Sequence, residues 1–98
     1  MFLALKWAAY RDRGASDPFA SHDLEDILAL LAARDTVVAE IGGASARVSA
    51  FVANQTRLFL AHDGFEDLLA ANLSNTQDPA HFVAVVRERL GAIARQAP

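Results

Sequence analysis

The chain has 98 residues, enough for one domain that buries roughly 60–68% of its unfolded surface around a single thin core. Apolar residues make up 53% and charged residues 21%, which excludes a disordered chain. The net charge is -3 with no basic block, so nucleic acid is disfavoured as a direct partner, because such binding needs a positive patch. The chain holds no cysteine, which removes disulfides, thiolate catalysis and cysteine–zinc sites and fits a reducing, cytoplasmic setting.

Residues 2–13 read as a helix that Gly14 stops. Its start is apolar, but Lys6 interrupts the run and no basic leader precedes it, so it is not read as a signal peptide. No run approaches the roughly 20 apolar residues that would span a bilayer. Phe2, Leu3, Leu5, Trp7 and Tyr10 cannot share one face at about 100° per residue. A helix apolar on all sides is normally buried on all sides. Either this helix runs through the centre of a bundle, or another chain covers its far side. Phe2, Trp7 and Tyr10 would then form an interaction surface.

Gly14 and Pro18 mark residues 14–20 as a loop. A second helix runs from about Ser21 to Arg34, with Ser21 as its N-cap and Asp23, Glu25 and Asp26 at the positive end of the helix dipole. Leu24, Ile27, Leu28 and Leu31 make one apolar stripe. With Leu24 at 0°, Asp23 falls at about 260°, Asp26 at about 200° and His22 at about 160°, on the opposite, polar face. Asp35 is read as the cap of a short helix that ends at about Ile41, before Gly42-Gly43. Further helices are predicted at 44–61, with Val48, Phe51, Val52, Leu58 and Phe59 inward, and from Phe65 to about Leu73. Asp78-Pro79 opens the last, with Phe82, Val86, Leu90 and Ile93 on one face and fraying near Pro98. No alternating strand pattern of useful length occurs. The expected fold is all-α: one domain over residues 1–98, a compact bundle of about five helices with short loops.

Known catalytic signatures are missing: there is no Gly-x-Ser-x-Gly elbow and neither common phosphate loop. His62 and His81 lie in separate segments without ligand spacing, and no metal site is assigned. His22 and Asp26 stand four residues apart, a spacing that can hold a metal but also suits a plain acidic first turn. Lys6 is the sharper anomaly. An ammonium among Phe, Leu, Trp and Tyr must snorkel to water or meet an anion such as phosphate.

Taken together, these stretches resemble a known family. Leu-Ala-Leu-Lys6-Trp-Ala-Ala9 resembles the Lys-x-x-Ala motif of AbiE-type nucleotidyltransferases, the toxins of type IV toxin–antitoxin systems. Arg13, a loop and His22-Asp23-Leu24-Glu25-Asp26 resemble the motif that follows it there, Arg, a gap, then Lys-Asp-x-x-Asp. The likeness covers about residues 2–41 and is loose beyond them. It implies nucleotide binding by Lys6, Arg13 and His22, and a catalytic pair, Asp23 and Asp26. Two features depart from the pattern: His22 stands where the motif has lysine, and the gap after Arg13 is longer. Those enzymes also hold Mg²⁺ on an Asp-x-Asp strand after a Gly-Ser turn, and this chain has neither. The expected function is therefore that of the helical half of such an enzyme, inactive alone. Mg²⁺ and a nucleoside triphosphate would enter only with a chain carrying the N-terminal half, and an antitoxin is a further implied partner. A non-enzymatic helical interaction module, forming a homodimer through its first helix, is the competing expectation.

Overall fold

A computed structural model describes residues 2–96. Six α-helices carry the fold, and no strand occurs among the described residues. They are α1 (Phe2–Ala9), α2 (His22–Ala33), α3 (Val37–Gly42), α4 (Ala46–Leu60), α5 (Phe65–Leu73) and α6 (Pro79–Ala94). The expected fraying near Pro98 lies outside the described residues.

Most helix starts follow from single residues. Ser21 caps α2 by accepting from the Leu24 N–H at 3.1 Å, and Ser45 caps α4 by accepting from the Val48 N–H at 3.3 Å. Asp78 caps α6 by accepting from the His81 N–H at 3.3 Å, with Pro79 in the first turn. The start of α3 differs from expectation: Thr36, not Asp35, precedes it, and no side chain caps it. The Thr36 hydroxyl instead donates to Glu40, which also accepts from Arg34 at 2.6 Å.

The long helices α4 and α6 pack on each other, and α2, α3 and α5 pack on α6. Helix α1 lies against α2 and α4 and closes the remaining side. The α2 stripe of Leu24, Ile27, Leu28 and Leu31 meets Leu68 and Leu69 of α5 and Val86, Leu90 and Ile93 of α6 in one buried cluster. At about 25 cal/mol per Å² of apolar area, each such side chain contributes about 1.5–3 kcal/mol. Arginines tie the helix ends together: Arg89 donates to the Leu31 carbonyl at 2.6 Å, and Arg57 donates to the Ala94 carbonyl at 2.7 Å.

Of the two expectations for α1, the structure excludes the first, a helix running through the centre of the bundle. Leu3, Trp7 and Tyr10, spaced at one helical face, are buried, while Phe2 and Leu5 are 57% and 69% exposed. The helix is therefore one-sided and peripheral. Trp7 and Tyr10 are buried, packed edge to face with ring centroids 5.9 Å apart, and do not form an exposed patch with Phe2. Phe2 alone of the three faces outward. Past Ala9 the helix widens into a π-turn over Tyr10–Gly14, closed by the Ala15 N–H donating to the Tyr10 carbonyl. Among the described residues, no helix is long and apolar enough to cross a membrane.

Candidate functional site

The site begins with a missing side chain. A Cβ on Gly14 would stand 2.5 Å from Ser21 Oγ and 2.8 Å from Tyr10 Cδ1. Only glycine lets the end of α1 close on the start of α2 at this point. Ser21, held there, caps α2 and aims its first turn at α1. A single-turn 3₁₀ helix, Pro18–Ala20, leads the loop into that cap.

Asp23 consequently faces α1. Its side chain is only 9% exposed, against the sequence expectation of a place on the polar face. Arg13 donates from Nε to Asp23 Oδ2 at 3.1 Å and from Nη2 to Oδ1 at 3.4 Å. Lys6 Nζ lies 3.5 Å from Asp23 Oδ1 and 2.7 Å from Asp26 Oδ2. The Lys6 ammonium also stands 5.5 Å from the centre of the Phe2 ring. The lone lysine of α1 therefore reaches the surface by pairing with two carboxylates of α2 rather than by simple snorkelling.

Four of the five residues assigned to nucleotide chemistry thus converge: Lys6, Arg13, Asp23 and Asp26. His22 is not among them. Its imidazole is 94% exposed, and its Nδ1 lies 3.6 Å from Glu25. It lines the outer wall of the pocket that Lys6, Arg13, Gly14, Ser21 and Asp23 enclose, a recess of about 380 Å³. Asp26 does not line that recess but pairs with Lys6, which does.

Electrostatics within the cluster are mutually reinforcing. The Arg13 hydrogen bond holds the Asp23 carboxyl below its ordinary range, helped by the charges of Arg13 and Lys6 and opposed by burial. The Asp26 hydrogen bond, with the charges of Asp26 and Asp23, raises the Lys6 ammonium above its ordinary value against the desolvation that lowers it. A carboxylate held this way is a weak base at neutral pH. Asp23 suits accepting a hydrogen bond or orienting a cation better than removing a proton. Both its oxygens already accept from Arg13 and Lys6, so the cluster does not offer a ready set of metal donors.

The sequence did not reveal Gly14 as a wall of this pocket, because a helix-ending glycine looks the same whether or not it permits a close approach. Two polar residues on the inward face of α4, Gln55 and Thr56, were also overlooked, although Val52 and Phe59 frame them in the core-facing pattern. Leu58, expected inward, is 62% exposed. No family model, curated protein or solved structure matches the chain.

Proposed function

We propose that the chain is the helical, nucleotide-side half of an AbiE-like nucleotidyltransferase. The supporting observation is that Lys6, Arg13 and Asp23, separated by a loop in sequence, line one pocket between α1 and α2, with Asp26 paired to Lys6 beside it. Lys6 and Arg13 would meet the phosphates, Lys6 as a point charge and Arg13 as a planar fork. Asp23 would hold both cations in register, and Asp26 would fix Lys6. The metal-bearing carboxylates must come from another chain, since the Asp23 oxygens are already engaged. Mg²⁺ bound there would neutralise the triphosphate and the transferring group. The chain alone would then be inactive, and its setting would be a cytoplasmic toxin–antitoxin pair.

Co-expression with the product of an adjacent reading frame carrying Gly-Ser and Asp-x-Asp tests this, with radiolabelled nucleotide transfer as the readout. Lys6→Ala and Asp23→Ala are each expected to lower transfer at least tenfold while the two chains still co-purify. Full transfer in both variants removes the assigned roles.

A second function is favoured by one observation, the outward exposure of Phe2 and Leu5 on α1. A self-associating helical module would use these two residues, without Trp7 and Tyr10. Light scattering should then report a dimer that Leu5→Glu returns to monomer. A wild-type chain that stays monomeric at high concentration discards it.

A further inference from the structure

A second recess lies on the other flank of α1, where its π-turn crosses α4. It measures about 150 Å³, and Tyr10, Arg11, Gln55, Leu58, Phe59 and His62 line it. Gln55 and Tyr10 are 8% and 6% exposed. Neither side chain makes a hydrogen bond within the described residues. Yet their polar atoms are not among the sealed, unpartnered ones, which are Trp7 Nε1 and Gln96 Oε1. The Gln55 amide and the Tyr10 hydroxyl therefore keep some surface access, and both residues line the recess. An amide with access and no protein partner is free to pair with water or with a ligand in the recess.

The rest of the wall defines the shape of the partner. Phe59 is buried and Leu58 is exposed at the rim, so the sides are apolar. His62 Nδ1 accepts from the Gly64 N–H at 2.9 Å, which puts the proton of a neutral imidazole on Nε2 as a donor. Burial raises the Tyr10 phenol, which keeps it protonated and able to donate at neutral pH. A cavity of about 150 Å³ accommodates one benzene-sized ring. We propose that this recess binds a small, single-ring planar compound with an amide-type edge, its donor and acceptor paired with the Gln55 amide and its ring between Phe59 and Leu58. This site is independent of the Lys6–Asp23 cluster and of the function proposed for it.

The protein supplies its own reporter. Trp7, its single tryptophan, lies 5.9 Å from both the Tyr10 and Phe59 ring centres. Benzamide and uracil are the probes, and toluene is the control without an amide edge. Saturable changes in Trp7 fluorescence and in the ¹⁵N-resolved Gln55 side-chain amide are expected for benzamide or uracil. Gln55→Leu, which keeps the bulk, should weaken that binding about five- to tenfold, the worth of one hydrogen bond, and leave toluene unaffected. Tyr10→Phe gives a second variant should Gln55→Leu not fold. The proposal is overturned if neither probe perturbs Gln55 up to its solubility limit. It is equally overturned if toluene binds the wild-type protein as well as benzamide and uracil do, or if a folded Gln55→Leu retains full affinity.

Discussion

Gly14→Ala should destabilise the protein, although an alanine in a helical turn is ordinarily worth about 0.5–1 kcal/mol more than glycine. The new Cβ would stand 2.5 Å from Ser21 Oγ, 2.8 Å from Tyr10 Cδ1 and 3.1 Å from Ser21 Cβ. The two nearest contacts are shorter than carbon side chains tolerate, so something must move. Shifting Ser21 weakens the α2 cap, at about 1 kcal/mol. Shifting Tyr10, buried against Trp7, overpacks the core at about 1–3 kcal/mol. Set against the propensity gain, the net loss is about 2 kcal/mol, or a Tm drop of roughly 8–16 °C for a domain of this size. Urea denaturation followed by Trp7 fluorescence and far-UV circular dichroism measures it. Adding Ser21→Gly removes the hydroxyl contact while costing the cap only a few tenths of a kcal/mol, so the double variant should recover part of the loss. A Gly14→Ala protein as stable as its parent, or a second substitution that restores nothing, would refute the close approach of α1 and α2.

Two further predictions concern charge. Asp23 is held below its ordinary range, so its pairing stabilises the fold above the unfolded carboxylate value of about 3.9 and is lost as pH falls through the lower native value. Asp23→Asn should cost about 1–2 kcal/mol at pH 7, the low end for charged hydrogen bonds because Arg13 is 74% exposed, and should flatten the loss of stability between about pH 5 and pH 2. An acid profile identical to wild type contradicts this. Arg89→Ala removes the donor to the Leu31 and Ala32 carbonyls at 2.6 and 3.4 Å and should cost about 1–2 kcal/mol. Amide exchange should quicken in the last turn of α2 before the rest of the helix, and uniform exchange along α2 would show that Arg89 is not its cap.

Most helix positions and boundaries could be read from the chain because their causes are local, although six α-helices form where about five were expected. Ser21, Asp78 and Pro79 make caps and starts that any helix would use, and Gly14 and Gly42-Gly43 make stops. Facing was harder, because neighbouring elements decide it. On the α2 wheel Asp23 borders the apolar stripe at about 260°, and only the arrival of α1 turns that border position into a buried one. On α4, Leu58 stands about 120° from Val52 and Gln55 about 60°, so the helix axis buries the amide and exposes the leucine. Hydrophobicity predicted the reverse. In α1 the alanines thin the apolar pattern, so three large residues face inward and two remain outside, and a full apolar jacket is unnecessary.

Capping and site-building by Ser21–Asp26 are not rival roles. The Ser21 cap fixes the first turn of α2, and that turn delivers Asp23 to Arg13 and Lys6. Ligand binding at the cluster is then governed by charge balance. Two cations face two carboxylates, so the cluster has no net charge to draw a phosphate from solution. A phosphate entering the recess must take Lys6 or Arg13 away from Asp23, exchanging one ion pair for another with little Coulomb gain. A partner's metal site would change this balance, because a cation arriving with the nucleotide gives the released carboxylate a new counter-charge. The isolated chain should therefore bind a triphosphate weakly, with affinity falling as salt is added, and binding should strengthen only in a complex that brings its own cation.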